Sequence, residues 1–149
     1  MKEIGEERFY RNWPNVKSST DDPEQYTQFW EHEWMKHGTC SGLSQKQYFE
    51  AALDNFLPTP SIVRENYGST VTKSQLQEAY EVTINMISFV CVDGKYLSEI
   101  RVCLEKETNG TIVGKMNCTD TVLDEGNCDD DFIHIPKFYS DSEDSLLTQ

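Results

Sequence analysis

The sequence predicts an α+β fold, with helices packed on an antiparallel sheet. Helix-compatible, capped segments crowd the first 85 residues. Beyond them, apolar residues alternate with polar ones around tight-turn dipeptides, and no βαβ alternation connects the two parts.

Residues 1 to 22 are polar and charged, with one Trp13-Pro14-Asn15 turn, and read as a connector. Asp21 or Asp22 can cap a helix that has Pro23 at its first position and Gly38 as its stop, which predicts a helix over 23–37. Ser44 caps a second, over 44–57. There Tyr48, Phe49, Ala52, Leu53 and Phe56 follow helical spacing into a core before Pro58 breaks the run. Residues 58–69 read as a loop with at most a helical turn, and Ser74 starts a third helix over 74–85. Then the period changes. FVCV, the Asp93-Gly94 turn and KYLSEIRVCLEK predict a hairpin, Asn109-Gly110 repeats the signal before TIVGKM, and DFIHIPKF predicts a last strand. One domain over 1–139 and an acidic tail at 140–149 complete the expected organisation.

The chain has 149 residues, about one domain's worth, and its 37% hydrophobic and 26% charged residues exclude a wholly disordered or collagenous chain. No apolar run approaches the roughly 20 residues of a membrane span. Thirteen basic against twenty-six acidic side chains give a net charge of −13, which excludes broad coating of a polyanion and makes any nucleic-acid site local.

Five cysteines occur, four of them at 91, 103, 118 and 128. They lack the close pairs of a zinc site, so disulfides are the better reading. The hairpins favour Cys103 with Cys118 nested inside Cys91 with Cys128, leaving Cys40 without a partner. Asn109-Gly110-Thr111 and Asn117-Cys118-Thr119 fit the glycosylation acceptor pattern. Disulfides and acceptor sites without a leader predict a natural N-terminus upstream of Met1.

The chemistry concentrates in FWEHEWMKHGTC, which holds two of three histidines. At roughly 100° per residue, His32, Lys36, Glu33 and His37 occupy an arc of about 140°, with Trp30 and Trp34 towards the other side. The zinc-protease pattern is HExxH. Here it is HExxxH, which turns the second imidazole away from the first, so no metal is expected. As an ordinary solvated face, Glu33 with His37 and His32 with Lys36 would be helix pairs worth a few tenths of a kcal/mol. Four such groups beside Gly38-Thr39-Cys40 argue for more.

This segment resembles the second active-site motif of the ribonuclease T2 family, whose usual form is close to FWxHEWxKHGTC. Trp13-Pro14-Asn15, YLSEIRVC, Asn117-Cys118, and Cys128 with Ile133 and Pro136 fit the rest of the family pattern. The resemblance implies a ribonuclease T2-like fold and endonucleolytic cleavage of single-stranded RNA, not DNA, through a 2′,3′-cyclic phosphate, with no cofactor and no metal. It implies His37 as general base, Lys36 and Glu33 as stabilisers of the transition state, and His32 with Lys36 as phosphate-binding groups. It further implies a secreted or lysosomal/vacuolar glycoprotein with no membrane partner, expected as a monomer. The family's first motif, close to HGLWP, is absent. Its general-acid histidine, the Cys40 partner and the leader are all expected upstream of Met1, and His134 is expected in a structural or surface role. The alternative is a non-catalytic RNA-binding or protein-interaction derivative of the same fold.

Overall fold

The computed structural model describes residues 5–15 and 23–137; the expected tail at 140–149 and the capping residues Asp21 and Asp22 lie outside them. In chain order the helices are α1 (Glu6–Asn12), α2 (Pro23–Glu33), α3 (Gln45–Asp54), α4 (Ser61–Glu65), α5 (Lys73–Ala79) and α6 (Asp120–Asp124). The strands are β1 (Thr70–Thr72), β2 (Ile87–Val92), β3 (Tyr96–Val102), β4 (Leu104–Lys106), β5 (Ile112–Lys115) and β6 (Phe132–His134). Helices lead and strands dominate later, as an α+β fold requires. The chain forms two compact units, one of residues 1–57 with 104–114 and one of residues 58–103 with 115–149.

The first unit is held by aromatic side chains. Phe9, Trp30, Phe49 and Leu53 are buried, with Tyr10, Trp13, Tyr26, Phe29, Trp34 and Tyr48 packed around them. Residues 6–12 are therefore a helix and not a connector. Its polar composition hides one anchor, Phe9, whose ring centroid lies 4.9 Å from Trp30 and 5.1 Å from Phe49. Trp30 also donates its indole N–H to the Trp13 carbonyl at 3.0 Å, tying α2 to the end of α1. α3 starts at the predicted cap, where Ser44 and Gln47 exchange a reciprocal capping box. Phe56 is 53% exposed and not core, because α3 ends at Asn55 and the helical period no longer applies. In the β4–β5 ribbon, Gly110 packs against Leu43 and the Gln47 side-chain amide donates to the Asn109 carbonyl at 3.3 Å.

The second unit is built on a four-stranded sheet ordered β1-β6-β3-β2. β2 and β3 form the predicted hairpin, and Asp93 and Gly94 take positive φ (52° and 67°), as a type I′ turn demands. β1 and β6 are also antiparallel, whereas β3 and β6 meet in parallel at Tyr96 and His134. β6 reaches β3 through a long connection and not through a hairpin, which frees it from antiparallel pairing. Val71, Leu76, Ile87, Phe89, Ile133 and Ile135 fill the core together with Cys91 and Cys128.

Two bridges close here, Cys91–Cys128 and Cys103–Cys118, nested one inside the other. The strand expected over 95–106 breaks at Cys103, whose amide turns to the Met86 carbonyl. The third helix is shorter than expected, because Thr72 and Gln75 provide the capping box and Glu81 takes a positive φ of 54° just after Ala79 and Tyr80. β1 and α6 were not foreseen; three and five residues are too short to show a period.

Candidate active site

The predicted site lies where one helix changes its winding. α2 is regular to Glu33; Trp34–Gly38 then form a π-helical turn and Thr39–Ser41 a 3₁₀ turn. The wide turn is closed by the Thr39 amide donating to the Trp34 carbonyl, five residues back. A continuous α-helix over 23–37 is thus corrected to an α-helix that widens by one residue. Such insertions are rare and frequently sit at functional positions.

His32 lies in the last turn of α2, Glu33 is its final residue, and Lys36 and His37 lie in the wide turn. His32, Lys36 and His37 are exposed and Glu33 is half-buried. Among the described residues, none of these four side chains is in a hydrogen bond or an ion pair, so the Glu33–His37 and His32–Lys36 helix pairs do not form. The widened winding accounts for the first of these, since residues four apart stack only while α geometry persists. Two imidazoles and an ammonium therefore present unused nitrogen atoms to solvent beside one carboxylate.

The hydrophobic side of the helix anchors this face. Trp30 is buried in the aromatic core, and Trp34 packs on Tyr48 with centroids 5.7 Å apart. Tyr48 is the residue that sequence reasoning placed only in the core. Burial first, then the Glu33 carboxylate and Cys40, push its phenol above the usual value. The signal was available in principle, as a tyrosine at a core position carries a hydroxyl that needs a polar neighbour.

Of the other sequence-predicted positions, Cys40 adjoins the helix and the rest lie apart from it in the chain. Cys40 is free and exposed, and its thiol reaches the His37 carbonyl at 3.4 Å. Asn109 and Asn117 are both exposed; the Asn109 side-chain oxygen accepts from the Thr111 amide at 2.9 Å. His134, in the second unit, is half-buried with its ring edge-on to Tyr96 at 5.0 Å. Among the described residues, no group of three or more histidine, cysteine, aspartate and glutamate side chains could hold a metal ion. Nor is any described helix long and apolar enough to cross a membrane.

Comparison with known proteins agrees with the motif. Residues 2–128 match the ribonuclease T2 family. The chain is similar to intracellular ribonuclease LX of Solanum lycopersicum, with 39% identity over 72 residues, 48% of this chain and 28% of that protein. It is 51% identical to a ribonuclease-like storage protein of Panax ginseng over 43 residues, 28% of this chain and 16% of that protein. It is 45% identical to ribonuclease T2 of Sus scrofa over 47 residues, 28% of this chain and 22% of that protein. The matched segments thus span less than a third of each of these relatives. No solved structure matches.

Proposed function

Since the chain belongs to the ribonuclease T2 family, we propose that it serves an endoribonuclease that cleaves single-stranded RNA by transesterification, giving a 2′,3′-cyclic phosphate without a metal ion. The observation that carries this reading is the unpartnered set of nitrogen donors on one exposed helix face, where His32, Lys36 and His37 accompany Glu33. His37 is the base that takes the proton from the ribose 2′-hydroxyl. The 2′-oxygen then attacks phosphorus, forming the cyclic diester as the phosphorus–5′-oxygen bond breaks and the leaving oxygen takes a proton from water. Lys36 opposes the charge that builds on the phosphoryl oxygens, and Glu33 supports it at the rim of the site. His32 holds the phosphate before attack. Imidazoles suit both tasks because their ordinary titration range is close to neutrality.

DNA lacks the attacking hydroxyl and is not a substrate. The chain carries a net charge of −13, so affinity for RNA rests on this local cluster, and a monomer acting on one strand suffices. Two disulfides and two exposed acceptor asparagines support a secreted or vacuolar glycoprotein, with Asn109 and Asn117 carrying the glycans. A second reading comes from one relative: the ginseng protein is called a ribonuclease-like storage protein, and a non-catalytic derivative would keep the helix without turnover.

The test is incubation of the chain, and of a form extended upstream by an HGLWP-like segment, with single-stranded RNA in the presence of a chelator. Phosphorus NMR should show a 2′,3′-cyclic phosphate, and His37→Ala should lower its formation by about 10²–10⁴-fold. No product from either form would favour the non-catalytic reading, and loss of product on chelation would reject the metal-free step.

A further inference from the structure

We infer that Trp34 and Gly38 are positioning residues for His37, the indole lying across the glycine and keeping the helix in its wide turn so that both imidazoles share one side. This deepens the proposed function, from which the roles of His32 as the phosphate holder and of His37 as the base beside it are taken. In a regular α-helix His32 and His37 point about 140° apart. A turn closed by i→i+5 bonds winds at about 4.4 residues per turn, or roughly 80° per residue, and from Glu33 onward that brings His37 to about 70° from His32. Lys36 stays close to His32 in direction. The wide turn therefore gathers the nitrogen donors more tightly than α geometry does.

The turn is not explained by burial of the residue it accommodates. Met35 is 63% exposed, and Lys36 and His37 are exposed as well. Only Gly38 is buried, and the reason is the Trp34 ring. A Cβ on Gly38 would stand 2.1 Å from Cε3, 2.7 Å from Cζ3 and 3.1 Å from Cδ2 of that indole. The half-buried indole also packs on Tyr48, with centroids 5.7 Å apart, and Tyr48 packs in turn on Phe49 at 5.3 Å, a fully buried ring. The contact joins the first and last residues of the wide turn, so the same backbone span is closed twice, once by the Thr39–Trp34 hydrogen bond and once by ring on glycine.

The experiment is histidine NMR on the full chain, titrated with inorganic phosphate, together with amide exchange of Thr39 and the cross-relaxation between the two imidazoles. In the wild type, His32 and His37 respond along one binding curve. Gly38→Ala and Trp34→Leu should each split the curve, with the apparent affinity read at His37 weakened about tenfold, faster exchange at Thr39 and a weaker ring-to-ring signal. The double variant should be no worse than either single one, and Trp34→Phe, which keeps a ring over the glycine, should retain the shared curve. If Gly38→Ala fails to fold, the contrast between Trp34→Leu and Trp34→Phe carries the test. A shared curve in Trp34→Leu, or losses that multiply in the double variant, would overturn the inference. Should the variants alter Thr39 exchange and the ring-to-ring signal in a chain whose imidazoles bind no phosphate, the positioning would stand and the functional reading would fall.

Discussion

Phe9 and Phe49 show how much one side chain can decide. Each is fully buried, and each makes ring contacts that join elements distant in sequence. Deleting a buried phenylalanine removes its transfer energy and leaves a cavity that an aromatic core fills poorly. Phe49→Ala should therefore destabilise the first unit by about 3–5 kcal/mol, measured by urea unfolding followed through tryptophan fluorescence. Phe49 was legible as core from its helical spacing, whereas Phe9 was not, because a lone aromatic among charged neighbours carries no period. Phe56 failed for the opposite reason: it kept the period of a helix that had already ended. His32, Glu33, Lys36 and His37, to which the proposed chemistry is assigned, stood out in the sequence by type and crowding. Tyr48 and Gly38 were not, since their importance depends on what packs against them.

The capping box at the start of α3 is the clearest case of an element written into the chain. Ser44 accepts from the Gln47 amide and Gln47 reaches back to the Ser44 amide, so Ser44→Ala should cost about 1 kcal/mol, read as a lowered urea midpoint at unchanged slope. The β2–β3 hairpin was equally readable, because Asp93-Gly94 is a dipeptide that tolerates two positive φ angles. Winding within a helix is a different matter. Nothing in HEWMKHG distinguishes an α from a π turn by propensity; the choice follows from the Trp34 ring lying on Gly38 while packed on Tyr48 of another helix. An arc of about 140° is what α geometry gives these residues, and the π turn inferred above to gather them is what the local sequence does not announce.

Across the whole molecule, covalent and electrostatic features set the conditions of action. The nested bridges Cys91–Cys128 and Cys103–Cys118 both lie in the second unit, and the spacing of four cysteines around hairpins had made that pairing readable. The free Cys40 sits in the first unit, next to the helix that carries the chemistry. A net charge of −13 opposes RNA except where cationic groups gather, which is why the proposed reaction is assigned to the His32 to His37 face. The most direct measurement is cleavage of a short single-stranded RNA in which one nucleotide is replaced by its 2′-deoxy form. The account predicts cutting at every accessible linkage except the one following the substituted sugar, with a cyclic phosphate at each new end. Cutting at the deoxy position at an undiminished rate would contradict it, because attack by the neighbouring hydroxyl would then play no part.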